Sequence, residues 1–464
     1  MRNTDFCGQI VQYFPHTPTP DQTSAMENLS AFLANTEAEG AFLLKGYAGT
    51  GKTSLIGALV KALTAWRQKC LLLAPTGRAA KVFSAYAEQP AFTIHKKIYR
   101  QKSFSGQEEG FTLANNLHKH TLFLVDEASM ISDGLLEDLL HYVYSGEGCR
   151  LILIGDEAQL PPVGLDYSPA LNPARLHEHN LQVTEFKLQQ VVRQAEDSGI
   201  LYNATCLRQA LQQKRVGTAP HFRLNIGNDL RKIGGAELLE EISSAYDRDG
   251  IDETLVVVRS NKRANMYNAG IRNRILYREE ELSSGDLLMV AKNNYYWLAG
   301  SPEESEFIAN GEMIEVLRVH KVEERYGFRF ADVRVRFRDY ESETDMKILL
   351  DTLQAEAPAL PREASDRLFH AVWDEYADIP RKAERLKKVK NDPYFNVVQV
   401  KYAYSITCHK AQGGQWKNVF LDIGYVPENG MGEDFYRWLY TALTRSSSRL
   451  YLINLPKMFE EPLL

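Results

Sequence analysis

One segment limits this chain more than any other: Gly46-Tyr-Ala-Gly-Thr-Gly-Lys-Thr53, which has the pattern G-x-x-x-x-G-K-[ST]. It follows the apolar run Ala41-Phe-Leu-Leu-Lys-Gly46 and precedes a helical pattern from Ser54 to Trp66, so it reads as strand, tight loop and helix start. Glycines in such a loop let backbone N–H groups curl around an anion, and the helix N-terminus adds partial positive charge. Gly46, Gly49, Thr50, Gly51, Lys52, Thr53 and Ser54 are therefore the candidate contacts to ATP. Lys52 is expected to reach the β- and γ-phosphates, and the Thr53 hydroxyl to ligate Mg2+.

The surrounding pattern is that of an α/β protein. Cys70-Leu-Leu-Leu-Ala74, Thr121-Leu-Phe-Leu-Val-Asp126 and Arg150-Leu-Ile-Leu-Ile-Gly155 are short and continuously apolar, as strands covered on both faces are. A second set, Thr254–Val258, Val419–Ile423 and Leu450–Ile453, lies beside helical patterns at Lys262–Tyr277 and Glu433–Leu443. Two α/β domains of similar kind are expected: residues 1–190, then 191–290 with 396–464. Between the halves of the second, residues 291–395 alternate like Asp332-Val-Arg-Val-Arg-Phe337 and then turn charged and helical from Glu363 to Lys390. They read as an inserted small β-barrel with a helical extension.

A phosphate loop alone does not hydrolyse. Leu122-Phe-Leu-Val-Asp126-Glu127 delivers two adjacent carboxylates to a strand's C-terminal end, where α/β sheets bind ligands. Asp126 is the candidate Mg2+ ligand and Glu127 the candidate base for the attacking water. The next strand leads into Gly155-Asp-Glu-Ala-Gln159, and Gln159 is placed to sense the γ-phosphate.

The ordered set of motifs resembles the superfamily 1B helicases of the RecD and Dda type. It comprises Gly-Thr-Gly-Lys-Thr, Ala74-Pro-Thr-Gly-Arg-Ala-Ala-Lys81, Thr93-Ile-His95, Asp126-Glu-Ala-Ser129, Gly155-Asp-x-x-Gln-Leu-Pro-Pro-Val163, Val192-Arg193-Gln194, Val258-Arg-Ser-Asn261, Thr407-Cys-His-Lys-Ala-Gln-Gly413 and Tyr440-Thr-Ala-Leu-Thr-Arg445. The resemblance implies two RecA-like domains with ATP between them, an SH3-like barrel in the second, and 5′-to-3′ movement on single-stranded DNA. It implies that Arg193 and Arg445 touch the γ-phosphate, that Gln22 reads adenine, and that Gln412 joins the nucleotide contacts. Thr19-Pro-Asp-Gln22 is equally a helix capping box, which leaves Gln22 two readings. Pro75, Thr76, Lys81, Thr93, His95, Asn261, Thr407, His409 and Lys410 match positions that face the DNA strand. In Gln412-Gly-Gly-Gln415-Trp416 the chain carries Gln where many relatives carry Glu, which puts that segment's ribose or cross-domain contacts in question.

Tyr99 to Leu113 reads as a hairpin, within an insertion at about 98–118, with two β-like arms around a polar, Gly-containing centre. The resemblance implies a strand-separating pin there, and Phe104 and Phe111 are its candidate stacking residues at a single-strand/double-strand DNA junction. The net charge of −6 argues weakly against a polyanion partner, although a local basic stripe suffices for one. Two locally basic stretches, Arg318–Arg338 and Arg381–Lys390, read as solvated faces. No apolar run is long enough for a membrane span, and five scattered cysteines fit a reducing, cytoplasmic compartment. The chain is expected to act as a monomer. An RNA-directed motor and a RecD-type accessory ATPase that needs a partner are the rival readings.

Overall fold

The structure, a computed structural model, describes residues 3–35, 39–101, 111–192, 197–298, 308–338, 342–427 and 430–461. The first domain is a six-stranded parallel sheet. Its strands are β1 (Gly40–Gly46), β2 (Cys70–Ala74), β3 (Ala91–Thr93), β6 (Leu122–Val125), β7 (Arg150–Gly155) and β8 (Gln182–Leu188), in the order β3-β2-β6-β7-β1-β8. Between β3 and β6 the chain makes the short antiparallel pair β4 (Tyr99–Gln101) and β5 (Phe111–Leu113). All seven positions of β1 are buried, because helices cover both faces of the sheet. Phe42 and Leu44 point to one core with Leu55 and Leu59, while Ala41 and Leu43 join Leu139 and Val143 on the other face.

The second domain is a five-stranded parallel sheet made of β9 (Leu230–Ile233), β10 (Thr254–Val258), β16 (Ser405–Thr407), β17 (Trp416–Leu421) and β18 (Ser446–Ile453). Their order is β16-β10-β17-β18-β9. Inserted after β10 is a closed barrel of β11 (Leu287–Val290), β12 (Met313–Arg325), β13 (Phe328–Phe337), β14 (Glu343–Leu349) and β15 (Val398–Tyr402). The helices Arg362–Glu375 and Lys382–Lys390 pack on it through Leu368, Val372, Val389 and Phe330.

The barrel's outer strands fall outside the expected 291–395 interval at both ends. The physical reason is a shared core: Leu288 and Val316 of the barrel belong to the same cluster as Val256 and Phe420 of the sheet. No composition shift marks a boundary that is buried on both sides. At this junction Asp286 is fully buried and accepts from Arg272 (3.0 Å), Arg278 (2.7 Å) and the Tyr404 hydroxyl (2.9 Å). Removing one partner would strand a buried charge, which typically costs about 3–5 kcal/mol.

Most arginines of the first basic stretch are paired on the barrel surface. Arg329 meets Glu281 and Asp351, Arg334 and Arg336 share Glu343, and Arg338 meets Glu315. That pairing leaves little open positive stripe there.

Candidate functional site

The phosphate loop curls because Gly49 and Gly51 adopt φ of +76° and +82°, conformations that disfavour a side chain. A Cβ on Gly51 would also collide with the Gln22 amide. From the first turn of the Lys52–Ala65 helix, the Lys52 ammonium donates to the Gly46 (2.5 Å) and Tyr47 (2.9 Å) carbonyls. Gln22 serves the cap and the loop at once. Its side-chain oxygen accepts from Thr19 N–H (2.9 Å), and its amide donates to the Thr50 carbonyl (3.0 Å). The capping box is therefore formed, and the same residue braces the phosphate loop.

β6 ends in the two carboxylates. Asp126 accepts from the Glu127 N–H (2.8 Å) and from the Tyr86 hydroxyl (2.5 Å), a partner the motif reading did not anticipate. Glu127 sits at φ +52°, a left-handed conformation that stores strain in a non-glycine residue. Burial pushes the Glu127 carboxyl up to about 7; nearby Arg445 opposes this and Asp126 adds to it. Burial likewise raises Asp126 and Asp156, with Lys52 working the other way at each.

One cleft of about 370 Å3 is lined by Lys52, Thr53, Asp126, Glu127 and Gln159 of the first domain and by Arg445 and Gln415 of the second. The side-chain oxygen of Gln159 is buried there without a hydrogen-bond partner among the described residues. Arg445 is 2% exposed and donates to the Thr441 (3.0 Å) and Gly414 (3.1 Å) carbonyls, which fix the guanidinium on its own domain. Glycine-lined N–H groups, a lysine and hard oxygen donors suit a nucleotide with a divalent cation. No group of three or more His, Cys, Asp or Glu side chains among the described residues forms a self-sufficient metal site.

Several cross-domain contacts were not legible in the motifs. Tyr440, on the Glu433–Leu443 helix, donates to Asp156 (2.6 Å) while its oxygen accepts the Ala48 N–H of the phosphate loop (2.9 Å). The Thr441 hydroxyl accepts from Leu160 N–H (2.9 Å). Gln412 donates to the Leu160 carbonyl (2.8 Å), and Gln415, not Gln412, is among the cleft-lining residues. The chain turns between them at Gly413, φ +73°, tight against Ala79 and Thr76.

The residues expected to face DNA occupy matching places in both sheets. Ala74 and Thr93 are register partners at the C-terminal ends of β2 and β3, and Pro75 and Thr76 follow directly. Val258 and Thr407 are register partners at the ends of β10 and β16, and Asn261 follows shortly after. Each group therefore stands at one sheet's outer edge, at C-terminal strand ends; the first domain's cleft residues also follow strand ends, whereas Gln415 and Arg445 precede β17 and β18 at the opposite ends of the second sheet. Thr76 and Thr93 cap the following helices by accepting from Ala79 (3.2 Å) and Lys96 (3.3 Å). Burial lowers His95, and His409 is exposed. Lys410 donates to Asn310, Lys81 to the Arg338 carbonyl and Asn261 to the Glu356 carbonyl, so all three tie the sheets to the barrel region. Arg193 and Phe104 lie outside the described residues, as does the side chain of Phe111 on β5.

Comparison with known proteins agrees with this layout. An AAA domain matches residues 18–222, and a UvrD-like helicase C-terminal domain matches residues 402–453. The ATP-dependent DNA helicase Dda of Enterobacteria phage T4 is 25% identical over 59% of this chain and 62% of its own length. The ATP-dependent RecD2 DNA helicase of Deinococcus radiodurans is 26% identical over 88% of this chain and 46% of its own. The uncharacterized protein R530 of Acanthamoeba polyphaga mimivirus is 24% identical over 93% of this chain and 98% of its own. In fold, the chain is similar to a structure of two coordinating Pif1 helicases described as unwinding forked double-stranded DNA. The TM-score is 0.50 at 16% identity, with 96% of this chain and 94% of that one covered. With its phosphate-loop AAA domain and UvrD-like helicase C-terminal domain in order and its cleft lined from both, this chain is an ATP-hydrolysing enzyme of the P-loop class, similar to the superfamily 1B helicases of the RecD and Dda type.

Proposed function

We propose that the chain is an ATP-dependent DNA helicase that moves 5′-to-3′ on single-stranded DNA and works as a monomer at single-strand/double-strand junctions. The observation that carries the reading is the single cleft lined by the loop and acids of one domain and by Arg445 of the other. Hydrolysis then requires both domains at once, which is how a chemical step is coupled to a movement. The DNA assignment draws on the two named DNA helicases, and the polarity on the resemblance to RecD and Dda.

In this reading Lys52 exchanges its loop carbonyls for the β- and γ-phosphates. Thr53 and Asp126 would hold a bound Mg2+, which would neutralise charge on the phosphate oxygens. Glu127 orients and deprotonates the water, and Gln159 turns its unpaired oxygen to it. Arg445, and Arg193 by its motif, meet the charge that develops in the transition state. Gln22 holds adenine while bracing the loop. Gln412, through Leu160, carries domain closure rather than a direct nucleotide contact.

The groups at the two sheet edges grip the DNA strand through phosphates and sugars, without reading sequence. Closing and opening the cleft changes the distance between the grips. Phe104 or Phe111 on the β4–β5 hairpin stacks against the terminal base pair and splits the duplex.

Strand displacement by the purified chain on duplexes bearing only a 5′ or only a 3′ tail tests the proposal. Displacement from the 5′-tailed duplex is expected; displacement only from the 3′-tailed one would overturn the polarity. ATPase stimulation by single-stranded RNA exceeding that by DNA would overturn the substrate.

A further inference from the structure

A second cavity, of about 340 Å3, lies between the domains beside the nucleotide cleft, and Tyr47 of the phosphate loop lines both. Successive residues of one turn divide them: Asp156 lines the cleft, while Glu157 and Ala158 line the second cavity. Arg208, from the Gly199–Gln212 helix, also lines it. It is 8% exposed, and its guanidinium lies over the Tyr47 ring, 4.5 Å from the centroid. Two of its nitrogens, Nε and one terminal nitrogen, are buried with no hydrogen-bond partner among the described residues.

The other charges of this cavity are satisfied. Glu157 is paired with Lys187 and accepts from the Tyr47 hydroxyl (2.8 Å). Lys45 meets Glu185 (2.7 Å), and Glu433 meets Arg437 (2.6 Å). Arg208 thus has unmet donors where every acid already has its cation. Burying donors without acceptors is unfavourable, and a guanidinium's natural acceptors are carboxylate and phosphate oxygens.

We propose that this cavity is an anion site, centred on Arg208, which receives the inorganic phosphate split from ATP on the other side of Tyr47. The proposal rests on ATP hydrolysis in the adjoining cleft. The site gives the phosphate a buried cation to move to, separate from the loop that holds the diphosphate. Leaving this way, the phosphate need not pass the nucleotide. Tyr440 ties the nucleotide cleft to the second domain, because its hydroxyl joins the cleft-lining Ala48 and Asp156, the neighbours in sequence of Tyr47 and Glu157.

Two measurements on the full chain test this. First, the protein is saturated with Mg2+ and a non-hydrolysable ATP analogue, so that the γ-position is filled, and inorganic phosphate is titrated by calorimetry. One phosphate is expected to bind, at least tenfold more weakly in Arg208→Gln, with Arg208→Lys intermediate and the analogue's own affinity unchanged. Absence of phosphate binding to the parent, or equal binding by Arg208→Gln, overturns the site. Should Arg208→Gln melt well below the parent, Arg208→Lys alone carries this comparison, and equal binding by it has the same force. Second, in a single turnover, quenched-flow cleavage is compared with release seen by a fluorescent phosphate sensor. Cleavage should stay within twofold in the variant while release changes severalfold. Equal changes in both would overturn the release role. A chain that fails to hydrolyse ATP still gives an answer in the first measurement, which separates the two ideas.

Discussion

The two parallel sheets share an architecture but bring opposite chemistry to the cleft. The first contributes acids and the phosphate loop from strand ends, where short backbone contacts fix them. Glu127 N–H caps Asp126, and Gln22 braces Thr50. The second contributes Arg445 and Tyr440 from a helix and the turn after it, held by carbonyls of their own domain or by a hydroxyl reaching across. One half is a rigid acid-and-loop platform; the other is a set of groups whose contact with it depends on how the domains stand. A fold duplicated in this way lines one cleft with groups from both copies.

The largest effects should come from the platform. Lys52→Ala is expected to abolish nucleotide binding, and Glu127→Gln to keep binding while losing turnover by several orders of magnitude. Fluorescent-nucleotide titration beside steady-state ATPase assays checks both. Near-normal turnover in Glu127→Gln would place the base elsewhere.

Next comes the facing half. Arg445→Ala should bind ATP and single-stranded DNA yet lose DNA-stimulated hydrolysis by about 10³-fold. A loss below about tenfold, roughly 1.4 kcal/mol, would reduce Arg445 to a structural role on its own domain.

Tyr440→Phe sharpens the comparison, since it removes only the hydroxyl that joins the halves. DNA-stimulated kcat should fall about tenfold with basal ATPase little changed and the melting temperature lowered by a few degrees, because buried Asp156 and the Ala48 N–H lose a partner. Equal loss of basal and stimulated rates would mean that the hydroxyl serves the platform alone.

The smallest effect concerns the barrel rather than the cleft. Lys401 on β15 is 7% exposed, and burial, with Lys410 adding to it, brings its ammonium down to about 8. The folded chain therefore holds fewer protons than the unfolded chain between about pH 8 and the ordinary lysine range, so stability should rise with pH across that window. Differential scanning fluorimetry should show a rise of a few degrees that Lys401→Met lacks. A melting temperature that falls equally in both would refute the assignment.

Sequence alone determined the parts that depend on local order. Strand, loop and helix around Gly46–Thr53, the acid pair after β6 and the all-buried β10 are set by residue type and spacing within a dozen positions. The barrel's alternation on β13 was legible for the same reason. The edge strands β3 and β9 carried no signal, because three or four residues, none or only half of them exposed, are too few to show a period.

Only the tertiary structure decided what meets across distance. Tyr440 reaching Ala48 spans 392 positions, and Gln412 reaching Leu160 spans 252. Tyr86 on Asp126 and the Arg208 guanidinium over Tyr47 are equally silent in the motifs. A tyrosine or arginine on a helix is compatible with packing, solvent or partnership, and its sequence neighbours do not choose among them. The choice is made when burial removes water and leaves each polar group either a partner or none.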